Sequence, residues 1–252
     1  MPAWTCASST DRARGGAAAR LDARLRHPAV KPLVFVLALL PFASLLAGAV
    51  ADTLGANPAE ALIRGLGDWT LRLLCLTLAV TPLRQALRLP SLARLRRMLG
   101  LFTFFYAALH LLAYAWLDMG LVVADIVRDV AKRPFILVGS GALLLMLPLA
   151  ATSFDRAIRA LGARRWRALH RAVYVVAALA LLHFFWMRAG KNDFGEVGVY
   201  AAVVAALLGW RLARRLLAAQ RMNPGSHNAS ASTSSTTNSA TISATTNIHT
   251  PR

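Results

Sequence analysis

Six stretches of this chain, at about residues 33–51, 68–83, 99–117, 135–153, 169–187 and 197–213, are long and apolar enough to cross a bilayer. No other property restricts the fold as much. Inside hydrocarbon a backbone has no water to bond, so each spanning segment must satisfy its own N–H and C=O groups, and stretches of this length do so as α-helices. At 57% hydrophobic and 16% charged residues, the chain has less charge than a soluble domain of its size carries. The predicted fold is all-α: a polytopic membrane bundle of six transmembrane helices.

The formal net charge of +18 would suit a nucleic-acid partner if it were spread or clustered on one domain. Its placement gives another reading. Counted near the span ends, twenty-one Lys and Arg fall in segments 1–32, 84–98, 154–168 and 214–252 or at their borders, against six on the other side. By the positive-inside rule this sets both termini in the cytoplasm, with outer loops near 52–67, 118–134 and 188–196. The partner of this charge is the lipid bilayer, and no nucleic acid is expected. Three regions follow: a basic cytoplasmic segment over 1–32, a transmembrane domain over 33–215, and a Ser/Thr/Asn-rich cytoplasmic tail over 222–252 that cannot bury a core. The first span follows a basic segment and is about 19 residues long, so it reads as an uncleaved signal-anchor. Cys6 and Cys75 lie apart without metal-ligand spacing and read as a tail residue and an apolar filler.

Histidines then stand out. His110 lies in FYAALHLLAYAW, and His170 and His183 lie in LHRAVYVVAALALLHFF. An ionisable side chain at membrane depth is costly and marks a functional site, and neutral imidazole is the usual protein ligand of haem iron. Depth decides which of them pair. At 1.5 Å per residue, His110 lies about 16 Å and His183 about 21 Å from the inner boundary, and His170 only about 2 Å. His110 and His183 are therefore predicted to meet in the outer half of the bilayer and clamp b-type haem between helices. The 13 residues from His170 to His183 turn an ideal helix by about 220°, so a shared face needs a bend or a looser turn. Ala107, Ala113 and Ala180 allow close approach beside the pair. Arg72 is placed to reach haem propionates, although a span-end arginine also snorkels to the surface. His227 and His249 lie in the tail and are not expected to be ligands.

The stretches RRMLGLFTFFYAALHLLAY, AKRPFILVG, LPLAATS and WRALHRAVYVVAALALLHFFW resemble the MsrQ (YedZ) family, the haem-binding membrane subunits of the MsrPQ methionine sulfoxide reductase system and short members of the ferric-reductase-like transmembrane family. The resemblance covers about 30–215. It implies a bacterial inner-membrane electron-transfer subunit, itself without a catalytic site. Such a subunit would take respiratory-chain electrons from quinol and pass them to MsrP, a periplasmic molybdenum enzyme that repairs oxidised methionines. It also implies haem b and FMN, the family's membrane histidines falling on His110, His170 and His183, with no residue matched for FMN. Two other readings stand beside it: a ferric or flavin-linked transmembrane reductase of the same superfamily, and a transporter using His110 and His183 as a proton relay. Nothing in the residues resembles a site for sulfoxide chemistry itself.

Overall fold

The computed structural model describes residues 9–189 and 194–222. The tail with His227 and His249, Cys6, and residues 190–193 lie outside that range. The described residues form nine α-helices: α1 (Ser9–Leu25), α2 (Val30–Val50), α3 (Pro58–Ala86), α4 (Ala93–Ala113), α5 (Val123–Lys132), α6 (Pro134–Ala151), α7 (Asp155–Leu169), α8 (Val173–Ala189) and α9 (Gly195–Met222). No strand occurs among them. Six continuous helical stretches are long and apolar enough to span a membrane: Val30–Val50, Pro58–Ala86, Pro90–Asp118, Pro134–Ala151, Asp155–Ala189 and Gly195–Gln220. The chain divides after Arg211 into two units. The second is described to Met222 and is helical there.

Two boundaries differ from the sequence reading. The outer loop expected over 52–67 is helical from Pro58, because Asn57 caps α3. Its side-chain oxygen accepts the Glu60 N–H at 3.1 Å, and Pro58 opens the first turn. The basic inner loop expected over 154–168 is also helix, α7, kinked at Gly162 with φ 73°. Hydropathy alone hides both, since neither segment is apolar.

Packing follows the hairpins. α3 lies along α4 and α6 along α8, while α2 leans on α3 and α4. One core cluster joins α2, α3 and α4 through Ala38, Leu66, Leu73, Phe102, Tyr106 and Ala113. A second joins α3, α4, α6, α8 and α9 through Leu74, Leu78, Ala107, Met146, Val176, Ala177 and Val204. Exposed Leu33, Phe35, Val36, Leu37 and Leu40 of α2 present the outer surface a lipid-facing helix should have.

Polar groups at depth are tied internally. Thr70, Thr77 and Thr103 return their hydroxyls to the carbonyls of Leu66, Leu73 and Leu99. Pro41 removes a donor from α2 and opens its ladder there. The fully buried Tyr106 hydroxyl enters that opening, accepting the Phe42 N–H at 2.9 Å and donating to the Ala38 carbonyl at 2.8 Å. Between spans, Asp22 of α1 is 4% exposed. It accepts the Ser91 N–H at 2.9 Å and the Arg26 guanidinium at 2.6 Å, clasping α1 to the α3–α4 connection.

Tyr106→Phe removes the bridging hydroxyl and strands polar groups at the Pro41 kink. We expect a loss of about 1–2 kcal/mol, read as a lower thermal midpoint of the purified protein. The Ser91 N–H, and after it the Arg26 guanidinium, hold the Asp22 carboxyl below its usual range against the cost of burial. A depressed carboxyl supports the fold above its unfolded value near 3.9 and releases it as pH falls through its lower folded value. Amide-exchange protection over 21–25 should therefore be flat from about pH 8 to about pH 5 and vanish in stronger acid. In Asp22→Asn, trypsin should cut after Arg20 and Arg24 several-fold faster at neutral pH.

Candidate functional site

His110 comes from the C-terminal half of α4 and His183 from α8, and the fold brings their rings together edge to face. Their ring centroids are 6.1 Å apart and their planes cross at 78°. Each imidazole is fixed in the same way. His110 Nδ1 lies 2.8 Å from the Ile63 carbonyl of α3, and His183 Nδ1 lies 2.6 Å from the Phe135 carbonyl of α6. A carbonyl only accepts, so each Nδ1 carries the proton and donates it. That tautomer leaves both Nε2 lone pairs available to a metal.

Two glycines make room for the rings. A Cβ on Gly67 would lie 3.2 Å from His110 Cε1, and a Cβ on Gly139 would lie 2.8 Å from His183 Nδ1. Each glycine sits four residues after the carbonyl its histidine uses: Ile63 then Gly67, Phe135 then Gly139. The bare helix surface at the glycine lets an imidazole reach into the backbone of the neighbouring helix.

The pair borders a cavity of about 300 Å³. Its walls are largely apolar, including Leu71, Ala107, Leu111, Ile136, Leu143, Met146 and Ala180. Its rim, at the end expected to face outward, carries Arg64, Arg133, Arg188, Asp68, Asp118 and Tyr114. These cations are held in place: Arg64 by Glu60, Arg133 by Asp129 at 2.9 Å, Arg188 by Glu196. The Tyr114 hydroxyl donates to Asp129 at 2.6 Å. Tyr114 opens a π-helical turn to Asp118 that ends α4 one turn beyond His110, widening the helix where the cavity begins.

Arg72 lies elsewhere. Its Nε donates to the Tyr200 hydroxyl at 3.2 Å and its guanidinium stacks 4.9 Å from the Trp69 ring. It does not border the cavity; Arg64, Arg133 and Arg188 do, and the sequence reading had treated them only as loop charges.

His170 is held apart from the pair. It sits in a 3₁₀ turn, His170–Ala172, between α7 and α8, wound more tightly than the α-helices on either side. Its ring stacks on Trp166 at 4.0 Å, and its Nδ1 lies 3.1 Å from the Trp166 carbonyl. It borders a separate cavity of about 330 Å³, at the end expected to face inward, with Thr77, Arg96, Arg97, Thr103, Ser153 and Met146. Met146 lines both cavities. Among the described residues, no cluster of three or more His, Cys, Asp and Glu side chains could hold a bare metal ion.

Residues 66–181 match the family described as ferric reductase like transmembrane component. The chain is 67% identical over 188 residues to the protein-methionine-sulfoxide reductase heme-binding subunit MsrQ of Polaromonas naphthalenivorans, covering 75% of this chain and 86% of the relative. It is 55% identical to the MsrQ of Ralstonia nicotianae, over 73% of this chain and 85% of that protein. Magnetosome protein MamZ of Magnetospirillum gryphiswaldense is 46% identical over 72% of this chain, which corresponds to 28% of its own length. No solved structure matches the chain.

Since a Cβ at Gly139 would overlap the His183 ring, Gly139→Ala is expected to displace that imidazole. Gly141→Ala, with open space at its Cβ, is the matched control. Nitrogen-15 NMR of the histidine side chains should show the Nδ1-protonated tautomer for His183 in the parent protein and in Gly141→Ala, and its loss in Gly139→Ala.

Proposed function

The chain belongs to the MsrQ family of methionine-sulfoxide reductase haem-binding subunits, and from that premise we propose that it holds b-type haem between His110 and His183 and relays electrons across the membrane. The observation carrying this reading is the facing pair of imidazoles, each with Nδ1 spent on a carbonyl and Nε2 left free. His110 and His183, with ring centroids 6.1 Å apart, would hold the haem iron through their Nε2 atoms. Two side-chain ligands suit an iron already held by a macrocycle better than a bare ion. When bound there, haem would supply one-electron storage at a fixed depth.

What the chain's own residues contribute is position and polarity. The Ile63 and Phe135 carbonyls orient the imidazoles and raise their basicity as ligands. Leu71, Leu111, Ile136 and Leu143 exclude water. Arg64, Arg133 and Arg188 offer cations to propionate carboxylates at the outer rim, a task the sequence reading had given to Arg72.

The donor we propose is quinol in the respiratory chain, and the acceptor a periplasmic molybdenum methionine sulfoxide reductase of the MsrP kind that repairs oxidised proteins. The protein would lie in the bacterial inner membrane with both termini cytoplasmic, as the twenty-one to six bias of basic residues supports. The cavity rim then faces the periplasm, so the last transfer to the acceptor is short. Asp125, Asp129 and Glu196 on that side are already paired with Arg128, Arg133 and Arg188, so docking draws little on uncompensated acid among them. FMN remains an implication of the family and is assigned to no residue. His170, stacked on Trp166 in the inner cavity, serves a second position on the electron path and is not a ligand of the outer iron.

The purified protein should show a low-spin b-type spectrum when reduced. His110→Ala and His183→Ala should each abolish the outer haem, and Gly139→Ala should lower its occupancy. His170→Ala should leave the outer haem in place. A colourless, folded preparation from haem-replete cells refutes the haem reading. The relay is tested by haem reoxidation: adding a periplasmic sulfoxide reductase with its substrate should accelerate it, and no acceleration removes the assigned acceptor.

A further inference from the structure

The arginine-rich end of the bundle holds two half-buried arginines, Arg96 and Arg211, that no carboxylate pairs with among the described residues. Pro82 lies four residues after Leu78 in α3 and brings no N–H, so the Leu78 carbonyl is left without its helical donor. Arg211 of α9 fills that gap, its Nη2 donating to the Leu78 carbonyl at 2.6 Å. The guanidinium also lies over the Tyr174 ring at 5.2 Å. That uses one of its nitrogens. Nε and Nη1 are buried and without a hydrogen-bond partner.

Arg96 of α4 is half-buried at the inner cavity and within electrostatic range of Arg211, Tyr174 and Arg84. The neighbouring Arg97 is paired with Asp155 at 2.6 Å; no carboxylate reaches Arg96 or Arg211 among the described residues. The inner cavity, which Arg96 lines, has no acidic residue in its wall but has the Thr77, Thr103 and Ser153 hydroxyls and an apolar surface from Leu74, Phe104 and Leu149. A desolvated charge without a counter-ion is strongly unfavourable. Basic pockets between transmembrane helices take anionic headgroups.

We propose that Arg96 binds the phosphate of an anionic phospholipid at this end of the bundle. Arg211, anchored on Leu78, stands behind it as a fixed positive charge. The shared chemistry is a phosphate anion, and the apolar surroundings favour a lipid over a soluble source. The site is separate from the histidine pair and stands whether or not that pair holds haem.

The test uses full-length protein in nanodiscs of phosphatidylcholine alone or with phosphatidylglycerol, with bound lipid counted by native mass spectrometry and thermal midpoints recorded. The parent protein should retain phosphatidylglycerol and be stabilised by it. Arg96→Gln should weaken retention by roughly tenfold, the scale of one charge-assisted hydrogen bond. Arg211→Gln should weaken it too. Arg211→Lys keeps both the charge and a donor for Leu78 and should retain the lipid, which separates loss of binding from loss of folding. Arg88→Gln, an exposed arginine, controls for bulk charge and should change little. Inorganic phosphate added to phosphatidylcholine discs distinguishes the sources. Equal stabilisation by it, lost in Arg96→Gln, assigns the site to soluble phosphate; no effect assigns it to lipid. Indifference of the parent protein to both, or equal retention in Arg96→Gln, overturns the proposal.

Discussion

In hydrocarbon, a polar atom without a partner inside the protein has none at all, and that constraint organises this molecule more than any single apolar contact. Apolar side chains alone give little preference between one helix packing and another, because lipid tails are equally apolar. The specific ties are polar. Tyr106 enters α2 beside Pro41, and Arg211 reaches the Leu78 carbonyl that Pro82 leaves open. In both cases a proline frees a helix from its own ladder and a side chain on another helix takes the vacancy. Such a tie fixes rotation and depth together, since it is satisfied in only one register.

The histidines obey the same rule and gain chemistry from it. A neutral imidazole buried between helices must place its N–H somewhere, and here both use backbone carbonyls. A carbonyl in an intact helix is screened by the side chain one turn on. With glycine there, at Gly67 and Gly139, the screen is gone. The satisfied proton then dictates the opposite nitrogen's role: each ring turns a bare Nε2 away from its carbonyl. One device, used twice on two helix pairs, therefore settles tautomer and orientation together before any cofactor arrives.

Much of this was legible in the chain because membranes simplify the reading. Span number came from apolar length, and the meeting of His110 with His183 came from depth at a fixed rise per residue. What stayed hidden is instructive. Residues 58–67 and Asp155–Leu169 fold as helix through a cap and an amphipathic pattern that a hydropathy window averages away. The glycines read only as small residues, since their role depends on which histidine faces them from another helix. Arg72 was assigned by its height in the span, but height says nothing of azimuth. On α3 it turns toward Tyr200 and Trp69, while Arg64, two turns earlier, borders the cavity.

The two ends of the bundle differ in how their charge is closed. At the outer cavity every rim arginine has a carboxylate: Glu60, Asp129 and Glu196 answer Arg64, Arg133 and Arg188. A rim balanced in this way can hold a cofactor's carboxylates without itself being unstable when they are absent. At the end expected to face inward the arginines outnumber the acids, the excess from which the positive-inside rule reads that orientation. Asp22 and Asp155 close Arg26 and Arg97; of the other described arginines there, Arg96 and Arg211 are half-buried and no carboxylate among the described residues pairs with them. The rule that orients the chain thus leaves uncompensated charge at one face, and the membrane that imposes the rule also carries the anions that can close it. On this view the outer cavity is built to be complete in the protein, while the inner one is completed by its surroundings.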